Sequence, residues 1–331
     1  MPGAFAHITL VDSLCEATLL DGFPELPDVA KRALLSYLKF CELGAVSPDY
    51  PYLVLGSQNA AGWANVMHYW RTADFIRNGV RHLLDRTALD SPDGQKCLAW
   101  LFGYASHVVA DLTIHPVIEL IVGPYATHKT QHRVCEMHQD TYIFNQLVGE
   151  RIDTVEYLKH AGLRDCGENL GDTHHLAPAI TSLWTYILSD VPIDAVTLPT
   201  PDLPRPTSPP QPDEWHHDYV TTIDGFAEEG KRFFLARGAL ESCGVVYPPP
   251  SKVKKEFIKQ LKTPNQGTAD YDAVFERARQ NVITIWRELG SAITARDPSP
   301  VLLANANLDT GKADGTPPDS PPIFWTAYQT A

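Results

Sequence analysis

A chain of 331 residues is long enough for one large domain or two ordinary ones, and its apolar content is ordinary for a soluble protein. The formal net charge of −13 disfavours unaided binding to nucleic-acid phosphates or to strongly anionic membranes, and it suits the gathering of cations. Six cysteines (Cys15, Cys41, Cys97, Cys135, Cys166 and Cys243) contain no C-x2-C pair, which argues against a cysteine zinc site and against a dense disulfide framework.

The N-terminus carries no basic start of the secretory kind, the first Lys or Arg being Lys31, so a cytoplasmic product is the default expectation, with export by another route left open. Pro27 and Asp28 open a segment in which Val29, Ala33, Leu34, Tyr37 and Leu38 recur at helical spacing. A turn ends in Ser47-Pro48-Asp49-Tyr50-Pro51, and residues 73–88 form an amphipathic helix with Phe75, Val80 and Leu83 opposite Arg77, Arg81 and Asp85. Residues 97–122 come nearest to a membrane span, but His107, Asp111, His115, Pro116 and Glu119 mark a buried helix, so no transmembrane segment is expected. Proline at 116 should break or kink that helix and redirect His115.

Further helices are expected at about 152–162, 176–190, 215–242 and 252–263, and the strongest late periodicity is 269–294. Between them, Pro199 to Pro212 holds seven prolines in fourteen residues, an extended loop and not a folded module. After Arg296 the chain turns rich in Pro, Asp and Gly and ends on Ile323, Phe324, Trp325 and Tyr328, a tail expected to dock back on the body. Strand signals are nearly absent. The expected fold class is therefore all-α, a multi-helix bundle with a proline-rich insertion and an irregular C-terminal tail. Residues 1–296 form one domain with the loop at about 197–214, followed by the tail at 297–331.

The polar residues of 102–142 fall at metal-site spacing. His107, Asp111 and His115 are four apart, as are His132 and Glu136. On a helix, residues four apart lie about 6 Å along the axis and roughly 40° around it, so their side chains converge. One ion can take His107 with Asp111; His115, about 12 Å from His107 along the axis, suits a second ion with His132 and Glu136. One such row on an apolar helix is as readily a set of satisfied core polars. Two independent pairs within thirty residues favour metal.

Upstream lie His7 in PGAFAHITL, Asp49 after the Ser-Pro turn, and His68 in MHYWRT. With these the order becomes His7, Asp49, His68, His107, Asp111, His115, His132, Glu136. In that order the sequence resembles the zinc-dependent phospholipase C family, whose fold is shared with single-strand nucleases of the S1/P1 type. The resemblance covers residues 2–140 well and the remainder only through general helicity. It implies a metal-dependent phosphodiester hydrolase with two to three Zn2+ ions. Asp49, His68, His107 and Asp111 would take the first, and His115, His132 and Glu136 the second. His7, a bridging Asp111 and the N-terminal residue would take the third, the last being Pro2 once Met1 is removed.

The activity implied is release of diacylglycerol and a phosphorylated head group from phosphatidylcholine or phosphatidylethanolamine. Asp49 is the expected general base, and the phospholipid is met by transient contact with a membrane surface. Glu136, where the nucleases typically show Asp, tilts the reading to the phospholipase side, as does the acidic charge. Tyr50 stands where relatives place an aromatic against choline, and Asn65 where they place another, a polar residue suited to a primary ammonium. The rival readings are a single-strand nuclease or 3′-nucleotidase, a phosphoesterase acting on a small phosphate monoester, and a non-catalytic helical scaffold with structural zinc.

Overall fold

In the computed structural model, residues 4–54, 56–147, 162–168, 171–229 and 247–326 are described. Eleven α-helices fall among them: α1 (Ala4–Asp12), α2 (Ala17–Asp21), α3 (Asp28–Ser36), α4 (Leu38–Val46), α5 (Gln58–Tyr69), α6 (Thr72–Arg86), α7 (Pro92–Val122), α8 (Tyr125–Leu147), α9 (Pro178–Ser189), α10 (Pro212–Glu229) and α11 (Tyr271–Ala295). The strands among the described residues are two-residue antiparallel pairs: β1 (Leu261–Lys262) with β2 (Thr268–Ala269), and β3 (Ala306–Asn307) with β4 (Lys312–Ala313). The fold is all-α. The helix expected at 152–162 and the N-terminal Pro2 lie outside the described residues.

The axis of the molecule is α7. At 31 residues it runs about 46 Å, and nearly every side chain from Cys97 to Ile118 is buried. By length and hydropathy alone this helix could cross a membrane, but 78% of its apolar window is buried inside the protein. Helices α1, α3, α4, α6, α8, α9 and α11 pack along it. The closest approach is to α4, where Gly44 and Gly103 face the opposite backbone. A Cβ on Gly103 would overlap the Cys41 carbonyl, and one on Gly44 the Trp100 carbonyl. On the other side Trp286 of α11 donates its indole N–H to Ser106 Oγ at 2.9 Å.

Two expectations change. First, α7 continues unbroken past Pro116. The carbonyls that the proline ring crowds are covered by the C-terminal segment: Trp325 donates its indole N–H to the Thr113 carbonyl at 2.8 Å, and Gly311 packs against the Pro116 ring and the Leu112 carbonyl. The real break comes at Gly123, where φ is +96° and α7 turns into α8. Second, residues 252–263 are not helical. They form short 3-10 turns and β1, because Gln260 turns left-handed at φ +54°, giving its N–H to Asp270 Oδ1 at 2.9 Å. Phe257, Ile258 and Leu261, which produced the helical period, are buried from that irregular path instead.

The proline-rich segment is a loop as expected, and it is clamped to α5. Asn59 Oδ1 accepts the N–H groups of Thr207 and Ser208, Trp63 donates to the Ser208 carbonyl, and Gly62 leaves room for Arg205 and Pro206. The segment after α11 is likewise held. Asn305 Oδ1 accepts from the N–H groups of Ala73 and Asp74, capping the start of α6. Leu308 donates its N–H to the His68 carbonyl at 3.0 Å.

Candidate metal centre

Where α4, α5, α7 and the turn after α4 meet, four side chains converge. His68 Nε2 lies 3.1 Å from Asp49 Oδ1, 3.6 Å from Asp111 Oδ2 and 3.4 Å from His107 Nε2. His107 Nε2 is 3.3 Å from Asp111 Oδ2 and 3.8 Å from Asp49 Oδ1. Zinc with N and O ligands at about 2.0–2.1 Å makes a tetrahedron whose edge is about 3.3 Å. Four of these five distances lie within about 0.3 Å of that edge, and the His107–Asp49 separation is longer. Asp111 turns its other oxygen to His7 Nε2, 3.3 Å away, and the His7 ring stacks on that of His107 at 4.1 Å.

Both rings that face the cluster are oriented from behind. His107 Nδ1 bonds the Ala45 carbonyl at 2.8 Å, and His68 Nδ1 bonds the Ala64 carbonyl at 2.7 Å. Each carbonyl takes the Nδ1–H, so each ring turns its Nε2 toward the cluster, the orientation zinc-binding imidazoles use. The Ala45 contact depends on the Gly44–Gly103 crossing, which lets α4 reach α7.

Burial and charge act against each other here. His107 is disfavoured as a cation by burial, yet the carboxylates of Asp111 and Asp49 raise it to about 9. Burial and the neighbouring His107 lower His7 to about 4. Burial would push Asp111 up, but His107 and His115 hold it well below the ordinary carboxylate range. Asp49 is likewise held down, by His107 and His68 against its burial. Even so, Asp49 Oδ1, both Asp111 oxygens and both His7 nitrogens have no hydrogen-bond partner. Buried polar atoms left like this are costly unless something else satisfies them. Their donor types and spacing fit zinc.

The second pair is spread more loosely. His132 and Glu136 face each other at 4.0 Å on α8. His132 gives its Nε2–H to the Gly123 carbonyl at 2.6 Å, so the turn that ends α7 aims its Nδ1 inward. Burial lowers His132 to about 4 and raises Glu136 above the ordinary range. His115 is fully buried with both ring nitrogens unpartnered, and its Nδ1 sits 3.4 Å from Asp309 Oδ1. Among the described residues, triplets whose ligand atoms all lie within 4.8 Å of one another include His7–Asp49–His107 and His68–His107–Asp111. His115, His132 and Glu136 do not form such a triplet.

A family model for zinc-dependent phospholipase C matches residues 6–188. The chain belongs to the zinc-dependent phospholipase C family. It is accordingly a zinc-dependent hydrolase of phosphodiesters, with a general phospholipase C function. The match spans all eight His, Asp and Glu side chains from His7 to Glu136. No curated protein and no solved structure matches the chain.

Two side chains expected at the head group are placed elsewhere. Tyr50 is fully buried, stacked on Tyr219 at 4.6 Å and donating its hydroxyl to His216 Nδ1 at 3.1 Å. Its neighbour Asp49 faces the cluster while Tyr50 turns into the aromatic core. Asn65 is buried too, its oxygen taken by Tyr52 at 2.7 Å and its amide by the Pro204 carbonyl at 2.8 Å. Asn65 fastens the loop. Two half-buried tyrosines lie beside the imidazoles: the Tyr52 ring is 5.6 Å from that of His68, and the Tyr125 ring 5.3 Å from that of His132. Sequence reading passed over both, and it passed over Asp309; only the Tyr52 position, three residues after Asp49, carried any usable signal.

Proposed function

We propose that this chain hydrolyses the phosphodiester of a glycerophospholipid, phosphatidylcholine or phosphatidylethanolamine, to diacylglycerol and a phosphorylated head group. The observation that carries the reading is the set of buried, unpartnered imidazole and carboxylate atoms at zinc-tetrahedron spacing, within a segment matching the zinc-dependent phospholipase C family. Asp49, His68, His107 and Asp111 would hold one ion. His115, His132 and Glu136 would hold a second, and His7 with the second oxygen of Asp111 would contribute to a third. Zinc bound there supplies Lewis acidity to phosphoryl oxygens and makes water a nucleophile near neutral pH.

The protein's own groups then have distinct tasks. Asp49 is the catalytic base: its side chain keeps 17% exposure while those of His68, His107 and Asp111 keep 1% or less, so of the four it is the one open to water. Held below the ordinary carboxylate range, it is ionised at neutral pH and can accept the proton of the attacking water at its carboxylate oxygen. Asp111, sealed among three imidazoles, orients ligands instead. Tyr52 and Tyr125 offer ring faces to the ammonium of the head group, an attraction worth about 0.5–2 kcal/mol. Leu53 beside Tyr52, and Leu120 in the last turn of α7, are exposed apolar side chains suited to touching a lipid surface transiently.

The test is a side-by-side assay of the zinc-loaded protein on short-chain phosphatidylcholine, short-chain phosphatidylethanolamine and a single-stranded oligonucleotide. Diacylglycerol with phosphocholine or phosphoethanolamine is expected, abolished by chelation and restored by zinc. Cleavage of the oligonucleotide without lipid turnover would replace the reading with a nuclease.

A further inference from the structure

Of the imidazoles at the first cluster, His68 and His107 are aimed by main-chain carbonyls bonded to Nδ1. His7 is not. Neither of its ring nitrogens has a hydrogen-bond partner, yet its Nε2 is set 3.3 Å from Asp111 Oδ1 and its ring lies 4.1 Å from that of His107. Nothing bonded to the ring places it, so its placement comes from the helix that carries it. That helix, α1, is nine residues long and has no acidic residue in its first turn. The N–H groups at a helix start have no partner within the helix and need one from outside.

The partner stands on α8. Asp140 Oδ2 accepts the N–H of Phe5 and Oδ1 that of Ala6, each at 3.1 Å. These are the two residues directly before His7. Oδ2 also accepts the Tyr247 hydroxyl at 3.1 Å, and the Phe5 ring packs 4.7 Å from that of Tyr247 and 5.2 Å from that of Phe144. A carboxylate at this end of α1 suits the helix dipole. His132, Glu136 and Asp140 are four apart, so they form one row along α8, and all three are buried. The oxygens of Asp140 are filled by N–H and O–H donors, so it serves as no metal ligand. We infer that Asp140 is a positioning residue of the centre: from the turn of α8 after Glu136 it grips the backbone immediately before His7 and so presents that imidazole to Asp111 and His107.

Direction is what the carboxylate adds. The apolar contacts of Phe5 hold α1 against α8, but such contacts are non-directional and leave a helix free to turn about its axis. Successive residues of a helix lie about 100° apart around that axis, so a small rotation of α1 would swing the His7 ring off Asp111. Two N–H bonds converging on one carboxylate fix both the height and the rotation of the helix at the residue before His7. The arrangement has a cost: burial raises the Asp140 carboxyl to about 8 against the pull of its three donors. One helix, α8, thus carries His132 and Glu136 itself and sets a third group of the centre that belongs to α1.

This role rests on the zinc reading of the site, and the experiment separates the two. Full-length wild type, Asp140→Asn, Asp140→Glu, His7→Ala and the double variant His7→Ala/Asp140→Asn are loaded with zinc, dialysed against a chelator of graded strength, and assayed for zinc per chain by mass spectrometry. Amide hydrogen exchange is followed on the metal-free proteins. Asp140→Asn keeps the size but offers one acceptor oxygen in place of two. It should hold its weakest zinc about tenfold or more less tightly and exchange faster across residues 5–12, with α7 unchanged. Asp140→Glu keeps the charge but sets both oxygens one methylene further out, so it should weaken the same zinc even if the Asn variant does not fold. In the His7→Ala background Asp140→Asn should remove no further zinc, because the group through which it acts is already gone. Wild-type zinc affinity in either folded Asp140 variant would overturn the assignment and leave Asp140 as a clamp between helices. An equal added zinc loss in the His7→Ala background would do the same. A wild type that binds no zinc would instead sink the reading of the whole centre, and exchange would still judge Asp140: unchanged protection across 5–12 in Asp140→Asn overturns the inference.

Discussion

The two halves of the centre are built by different means. The first, around His107 and Asp111, comes from helix against helix: α4 and α7 touch backbone to backbone at Gly44 and Gly103, and main-chain carbonyls aim two of the imidazoles. The second, around His115 and His132, comes from connections: the Gly123 turn aims His132, and a turn far along the chain brings Asp309 to His115. The first has ligand atoms already at tetrahedral spacing, whereas the second is looser. Close-packed helices fix side chains within a fraction of an ångström, because neither partner can yield; turns do so only as well as their own anchoring. The first position should accordingly hold metal more tightly and survive more perturbation.

The contrast can be broken or sharpened by experiment. His107→Ala should have the largest effect, removing a ligand of the tight cluster; a loss of phosphodiesterase turnover on the order of 10³-fold or more is expected, with loss of bound zinc. His132→Ala should lose one zinc while the other stays bound, measured by metal content after dialysis. If both ions leave together, the two positions are not independent and the contrast fails. Gly103→Ala tests what builds the tight half: the new methyl would collide with the Cys41 carbonyl, costing about 1–3 kcal/mol of stability. Zinc affinity should fall with it, since His107 would be pulled from the Ala45 carbonyl. Full retention of affinity would show that helix contact does not position that imidazole.

Smaller effects lie outside the ligands. Burial lowers His216 to about 4 from an ordinary 6.5, and it receives the Tyr50 hydroxyl as a neutral ring. Between those values the unfolded chain binds the proton that the folded chain refuses. The contribution to stability is therefore full above about 6.5 and is lost as pH falls through 4, to the extent of roughly 2–3 kcal/mol. Chemical denaturation at pH 7 and 4.5 should show it, and His216→Gln should flatten that part of the profile. Tyr52→Phe loses only the hydroxyl bonded to Asn65, about 1 kcal/mol. A few-fold rise in KM with kcat unchanged is expected on short-chain lipid.

Much of this was legible in the chain. The i,i+4 pairs His107–Asp111 and His132–Glu136 mark one face of a helix wherever the helix goes, and both pairs face inward. The long apolar run with ionisable residues set into it announced the buried axis that α7 became. Pro116 misled, because a sequence shows the bond that proline forfeits but not the Trp325 indole that covers the neighbouring carbonyl. Residues 252–263 misled for a related reason: their apolar spacing is helical, and a contact with Asp270 overrode it. Tyr50 and Asn65 show the same limit at the site, since a position in order says nothing of the direction in which a side chain leaves its turn.

By itself the sequence determined which chemistry was possible: helices, a cation-seeking charge, and a row of imidazoles and carboxylates at ligand spacing. Those properties are local or additive, and short-range geometry suffices to read them. Only the tertiary structure decided which groups share a hollow, because that depends on contacts between residues tens to hundreds of positions apart. The Ala45 carbonyl behind His107, Tyr52 beside His68, and Asp309 opposite His115 are all of this kind. Each is set by how rigid elements pack, a sum over the whole chain that no single stretch of it contains.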